Sequence, residues 1–391
     1  MSDAKALREA KALRDAKALR EAKALRDAAE ARDDCALGDA EAMTPRELVL
    51  AAFEHRPTER IPKWFGSSPE FIAKARSELG IESEEDLRIA LGDDFRRVFA
   101  AGPAPERPLS PGATWVSPFG VERTGLFYGE PMSHPLASAT GCDALDSYPW
   151  PDPRKVDVSA LRADAGKWKG RYAILGGEWS PFWHDAIDLV GMEELFVRMY
   201  DDPPFVDALL ERINRYYLDV SERIFREAGD LVDVYFIGND FGSQRGPLVG
   251  PGLFERFLAP RLAEHAELGH RFGLKVMLHC CGGIRELLPS MIAAGMDAIH
   301  ALQPDCAGMD GSALKKDFGA RMTLNGGIDS HAVLIDGEPD EVRERTREVL
   351  DAMSPGGGYI AGASHDYILP ETPVANVVAM FEEIEAYRVE V

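Results

Sequence analysis

The sequence predicts an α/β chain folded as a TIM (β/α)8 barrel. Three observations carry that expectation: eight short apolar runs, helical patterns in most of the intervals between them, and polar or titratable residues where the runs end. A short apolar run bounded by turn residues reads as a buried strand. Strands alternating with helices make parallel βαβ units, and eight of them in about 250 residues or more make a barrel.

The chain opens differently. Residues 4–27 are four copies of the hexapeptide Ala-Lys-Ala-Leu-Arg-(Glu/Asp). Lys5 and Glu9, and the matching pair in each later copy, are oppositely charged i, i+4 neighbours that favour a helix. Leu7, Leu13, Leu19 and Leu25 step by about 240° and never build one apolar stripe, so a coiled coil is disfavoured. Residues 1–42 are therefore expected to be a low-complexity, marginally helical tail, and 43–391 the folded domain. That domain begins where Thr44 can cap a helix with Pro45 at its first position. The strand-like runs follow at Ile61–Phe65, Phe95–Phe99, Tyr172–Gly176, Val232–Ile237, Leu274–His279, Met296–Leu302, Met322–Asn325 and Gly358–Ala361. Helical patterns are clearest at Phe205–Glu227, Leu253–Phe272, Ile284–Ala294, Asp340–Met353 and Pro373–Tyr387. The interval Ala100–Gly170 breaks the rhythm with a hairpin pattern at Thr114–Thr124 and a proline-rich stretch, and reads as an inserted excursion over the barrel mouth.

Composition narrows the function. The net charge is −22, from 66 acidic and 44 basic residues. With no basic cluster outside the tail, nucleic acid and anionic membrane surfaces are poor partners. No run approaches the ~18 apolar residues of a membrane span, and the N-terminus lacks a signal peptide's apolar core. Five scattered cysteines do not suggest a disulfide framework, so a reducing cytoplasm is expected.

In a barrel the active site gathers at the C-terminal ends of the strands. There the sequence places Trp64, Glu178, Trp179, Asp240, His279, Cys281, Gln303, Asp329 and His365. Side chains alternate along a strand, so His279 and Cys281 face one way together and Cys280 the other. An imidazole and a thiolate converging from one strand end are half of a zinc site, whereas Cys280 packs as a small hydrophobe. Any one of these residues could equally be a buried or turn-capping side chain, and Asp240 in particular could cap the turn after its strand.

Several stretches, taken in order, carry a resemblance. They are Met43-Thr-Pro-Arg-Glu with His55-Arg-Pro-Thr-Glu-Arg-Ile-Pro62; Asp240-Phe-Gly-Ser-Gln244; Gly273-Leu-Lys-Val-Met-Leu-His-Cys-Cys-Gly282; Leu324-Asn-Gly-Gly-Ile-Asp329; and Gly356-Gly-Gly-Tyr-Ile360 through His365 to Leu369-Pro-Glu-Thr-Pro373. From Met43 to Tyr387 the chain resembles the uroporphyrinogen decarboxylase superfamily, which includes zinc-dependent methyltransferases acting between corrinoid proteins and thiols. The resemblance implies a TIM barrel. Porphyrin decarboxylases carry Arg-Gln-Ala-Gly-Arg near the N-terminus to hold substrate carboxylates, but this chain reads Trp64-Phe-Gly-Ser-Ser-Pro-Glu70. Losing those bidentate clamps weighs against an octa-anionic tetrapyrrole. His279-x-Cys281-Gly282, by contrast, resembles the first two zinc ligands of the methyltransferases. The later family cysteine is absent from Gly362-Ala-Ser-His365-Asp-Tyr367, leaving the third ligand to His365, Glu178 or Cys306.

The leading expectation is therefore a zinc methyltransferase with a small-molecule substrate and a corrinoid protein as partner. Asp240 would orient substrate or act as base, Trp64, Trp179 and Trp183 would wall the ligand, and Gln244 and Gln303 would contact it. The alternative is a cofactor-free decarboxylase relying on Asp240 or Asp329. A non-catalytic binding protein reusing the barrel is the third reading. Because the tail's leucines form no face, deleting residues 1–40 should leave the melting temperature and any activity unchanged, and calorimetry of the truncated chain checks this.

Overall fold

The structure, a computed structural model, describes residues 43–58, 60–101, 112, 114–125 and 129–389. The expected N-terminal tail with its hexapeptide repeat lies outside the described residues. The described residues form two compact units, one of those up to Phe95 with Gly170–Ala173 and those from Ile299 onward, the other of those in Arg96–Lys169 and Ile174–Ala298.

Seven strands correspond to seven of the eight expected runs. They are β1 (Phe95–Arg97), β2 (Ala173–Gly176), β3 (Val234–Gly238), β4 (Lys275–His279), β5 (Ala298–Leu302), β6 (Thr323–Gly326) and β7 (Tyr359–Ile360). Strand order follows chain order, β1-β2-β3-β4 chiefly in the second unit and β5-β6-β7 in the first. The β2–β3, β3–β4 and β6–β7 pairings are parallel, with Gly238 opposite His279 where β3 meets β4. Strands β2 to β7 are buried almost throughout, as parallel strands covered on both faces must be.

The eighth run, Ile61–Phe65, differs from expectation. It forms a single isolated parallel bridge, Lys63 with Ala361, supported by Trp64 N–H to the Ala361 carbonyl and Ala361 N–H to the Pro62 carbonyl. Pro62 has no N–H to give a ladder. The Lys63 and Phe65 N–H groups donate instead to the side chains of Asp94 (2.7 Å) and Asp93 (3.2 Å). Asp94 also takes a two-pronged ion pair from Arg60, at 2.6 and 2.8 Å, and is almost fully buried. Side-chain carboxylates thus replace a backbone ladder.

The helices begin and end where their sequences require. In α1 (Pro45–Phe53), Thr44 and Glu47 form a capping box, and Leu48, Val49, Ala52 and Phe53 face inward as expected. Helix α2 (Phe182–Val190) packs on the long α3 (Pro203–Ala228), whose buried side chains include Leu209, Ile213, Val220 and Ile224 at helical spacing. The helix expected over Leu253–Phe272 is interrupted by a π-helical turn at Phe254–Leu258 before α4 (Ala259–Arg271). Pro260 explains the break, because it cannot donate to the carbonyl one turn back. Helices α5 (Pro339–Met353) and α6 (Val374–Ala386) pack together in the first unit.

The excursion has the expected hairpin, Thr114–Val116 against Glu122–Thr124, extended by Glu130–Pro131. It is anchored on α2: Arg123 pairs with Asp188, Leu136 N–H donates to the Leu189 carbonyl at 2.8 Å, and His134 Nδ1 lies 2.7 Å from the Asp188 carbonyl. No helix among the described residues is long and apolar enough to cross a membrane.

Asp94→Ala would remove the two-pronged carboxylate from Arg60 and the acceptor of the Lys63 N–H. It should lower the unfolding free energy by about 3 to 5 kcal/mol, the range for breaking a buried pair. Urea denaturation measures this, and a loss below about 1 kcal/mol would mean that the backbone bridges alone hold the segment.

Candidate metal centre

Two loops leaving adjacent parallel strands build the centre. Strand β4 ends at His279 and continues through Cys280 to Cys281; β3 ends at Gly238 and continues through Asn239 to Asp240. Asn239 N–H donates to the His279 carbonyl at 3.0 Å, and Gly238 N–H to the Trp179 carbonyl at 2.8 Å, stitching the strand ends together. Asn239 is fully buried. Its Oδ1 accepts the Trp183 N–H and its Nδ2 donates to the Ser180 carbonyl, so its side chain fixes the entry to α2.

His279 and Cys281 do converge. Nε2 of His279 lies 3.3 Å from Sγ of Cys281 and 3.6 Å from Oδ1 of Asp240, and one ligand atom from each of the three residues falls within 4.8 Å of the others. The Cys281 N–H donates to Asp240 Oδ1 at 2.7 Å. Burial alone would push the Asp240 carboxyl up. A bond to His184, the neighbouring His279 and the Cys281 N–H outweigh it and hold the group well below the usual carboxylate range. Asp240 is therefore an ionised, acceptor-only group.

Cys280 points away, as strand alternation requires. Its sulfur is buried and accepts the Phe241 N–H at 3.3 Å, while burial first and Asp240's charge second push the thiol well above its ordinary range. It stays protonated and packs as core.

The remaining candidates divide. Trp179 stands beside the centre, its ring 5.5 Å from that of His279, with Arg97 stacked over both Trp179 and Phe236. A Cβ on Gly238 would fall 1.9 Å from the Trp179 indole, so only glycine leaves room for that ring. Trp183 is fully buried against Phe196 and Phe241, which makes it core instead of a pocket wall. Glu178 lies beside a tyrosine cluster, where its charge adds to burial in raising Tyr216, Tyr217 and Tyr235. Gln244 is exposed at the tip of the small turn between Gly242–Ser243 and Gly246–Pro247.

In the first unit, Trp64 is buried edge-on to Phe95 and 4.6 Å from the His300 ring. Oδ1 of Asp329 accepts the N–H groups of His331 and Ala332, so that oxygen caps a turn. His365 Nδ1 accepts the Tyr367 N–H at 3.1 Å, and the Cys306 thiol points at Gln303 Oε1 at 3.8 Å. Sequence reasoning missed His184. It sits in the first turn of α2 with Nε2 3.4 Å from Asp240 Oδ2, and no motif marks it.

Next to His184, Asp185 is fully enclosed and bonded by the Tyr217 hydroxyl. Burial raises its carboxyl from the ordinary 3.8 to about 6, against the pull of Tyr217, His184 and Arg123. Between those values the folded chain binds the extra proton, so stability falls as pH rises through the window and is level above it. Asp185→Asn should remove a decline of about 2 kcal/mol between pH 4 and 7, read as the difference in unfolding free energy at those two pH values. An unchanged slope would mean that Asp185 is already ionised at pH 4.

The family model of uroporphyrinogen decarboxylase (URO-D) matches residues 144–387. The chain is 25% identical over 278 residues to a uroporphyrinogen decarboxylase of Roseiflexus sp. (strain RS-1), covering 67% of this chain and 74% of that protein. It is 28% identical over 165 residues to a methylcobamide:CoM methyltransferase of Methanosarcina barkeri (strain Fusaro), covering 41% of this chain and 43% of that protein. A solved methyltransferase from Methanosarcina mazei matches with a TM-score of 0.61 at 20% identity, over 88% of this chain and 98% of that one, and so shares the fold. With its family model matched over most of its length, this chain belongs to the uroporphyrinogen decarboxylase family.

Proposed function

We propose that this chain is a zinc-dependent methyltransferase of its family, passing a methyl group from a methylated corrinoid or methoxylated donor to a thiol or corrinoid acceptor. The observation that carries the reading is the convergence of Asp240, His279 and Cys281. Zinc bonds of about 2.0 to 2.3 Å in a tetrahedron put neighbouring ligand atoms about 3.3 to 3.8 Å apart. The distances of 3.3 Å from His279 to Cys281 and 3.6 Å from His279 to Asp240 fit that requirement. Asp240 then takes the third ligand place that the sequence leaves to His365, Glu178 or Cys306, and a fourth position stays open for substrate.

A zinc ion held there supplies the Lewis acidity that lets a thiol ionise at neutral pH. The chain's own residues do the rest. The ionised Asp240 carboxylate balances the ion's charge, the Trp179 ring walls the side next to His279, and the Cys281 N–H keeps Asp240 turned toward the centre. Methylcobamide:CoM methyltransferases among the relatives support a corrinoid-bearing partner and a small thiol substrate. The sequence Trp64–Glu70, which lacks clustered arginines, weighs against a polycarboxylate tetrapyrrole.

Purified protein should carry about one zinc ion per chain, because a catalytic site uses three protein ligands. Cys281→Ser should abolish binding, since an alcohol is a poor zinc ligand at neutral pH, and Cys280→Ser should spare it. Elemental analysis after dialysis reads both outcomes. Protein that takes up no zinc under reducing conditions, or that strips CO₂ efficiently from uroporphyrinogen, overturns the reading in favour of a decarboxylase.

A further inference from the structure

Asp240 has a neighbour at each oxygen. Oδ1 accepts the Cys281 N–H at 2.7 Å and lies 3.6 Å from His279, while Oδ2 lies 3.4 Å from Nε2 of His184. The backbone around His184 is pinned on both sides. Trp183 N–H is bound by the side chain of Asn239, the residue before Asp240, and Asp185 is locked to Tyr217. His184 therefore has a fixed seat facing the carboxylate.

Its second nitrogen fixes the proton's place. Nδ1 of His184 is enclosed and has no hydrogen-bond partner among the described residues. A neutral imidazole has one N–H and one bare nitrogen. With the proton on Nε2 the Asp240 carboxylate gains a donor; with it on Nδ1, a donor is buried unmet and two acceptors face each other. The first tautomer is the one this arrangement supports.

We infer that His184 is a positioning residue of the metal centre, its Nε2–H holding Asp240 Oδ2 so that Oδ1 faces His279 and Cys281. This rests on the reading of Asp240, His279 and Cys281 as ligands. A carboxylate tethered at one oxygen turns easily, because the terminal torsion of aspartate is broad. Two tethers set its plane. Groups that orient metal ligands in this way are typically worth 10- to 100-fold in metal affinity.

The test compares wild type, His184→Ala, His184→Gln, Asp240→Ala and the His184→Ala/Asp240→Ala double variant. Zinc affinity is read by competition with a chromophoric chelator, and coordination by the visible spectrum of the cobalt(II)-substituted protein. His184→Ala should weaken zinc binding about 10- to 100-fold and alter the cobalt spectrum, with the metal-free melting temperature unchanged. His184→Gln, whose carboxamide N–H can reach the same oxygen, should recover most of the affinity. The double variant should bind no worse than Asp240→Ala alone, since His184 acts through Asp240. Wild-type affinity in both His184 variants overturns this role while leaving the ligand set standing. A wild type that binds no zinc overturns both together.

Discussion

The centre depends on two backbones in near contact. A Cβ on Gly282 would fall 2.5 Å from the Gly242 carbonyl carbon, and one on Gly242 would fall 2.6 Å from the Cys281 carbonyl oxygen. Gly282 also has φ +90°, which side-chain-bearing residues rarely adopt. Only paired glycines let the loops after β3 and β4 approach this closely. That approach brings Gly283 N–H to the Ser243 carbonyl at 2.8 Å and sets the Asp240 carboxylate on the Cys281 N–H. The distances among Asp240, His279 and Cys281 are consequences of backbone packing before they are matters of side-chain choice.

Charge placement follows from that packing. A part-buried carboxylate normally resists ionisation, yet Asp240 is flanked by two imidazoles and a backbone donor that each favour its charged form. The adjacent cysteines show the same logic in reverse. Cys280 shares the neighbourhood of that negative charge but is fully buried, so it remains a thiol. Cys281, one residue on, is only partly buried and faces His279 Nε2. A cation at the centre would act on Cys281 and leave Cys280 as packing.

Much of this was legible in the residues. Seven apolar runs became strands because their composition serves burial on both faces, and the His279-x-Cys281 spacing put both side chains on one side because strand geometry has period two. The run Ile61–Phe65 has a strand's composition, but Asp93 and Asp94 capture its N–H groups, and a residue pattern does not show a side chain competing with a backbone ladder. The roles proposed for Asp240 and His184 were obscure for a different reason. Asp240 reads as a base or a turn cap until its distance to His279 is known, and His184 lies in an aromatic stretch, Phe182-Trp-His-Asp185, where periodicity reports only a helix. Gly238 and Trp179 were legible singly, but their mutual fit was not.

What keeps β3 from yielding is polar, and buried. The Tyr235 hydroxyl lies 2.8 Å from Ser221 Oγ and 2.7 Å from His265 Nδ1; His265 Nε2 meets Asn214 Oδ1 at 2.9 Å, and Asn214 Nδ2 reaches Glu264 at 2.8 Å. This chain of contacts ties β3 to α3 and α4. Burial lowers His265 to about 3, so the ring stays neutral and cannot act as a charge switch near neutral pH. With Asn214 Oδ1 as a pure acceptor, the His265 proton belongs on Nε2, leaving Nδ1 to accept from Tyr235. The single Tyr235 proton then goes to His265, the Ser221 hydroxyl donates to the Tyr235 oxygen, and Ser221 Oγ in turn accepts the Glu178 N–H at 3.0 Å, so the network runs in one direction. A fully satisfied network of this kind fixes one arrangement of its strand and helices. The cluster proposed to hold zinc has its carboxylate oxygen placed by a neighbouring loop and needs that rigidity, because a shift of β3 along β4 by a fraction of an ångström would move Asp240 away from His279.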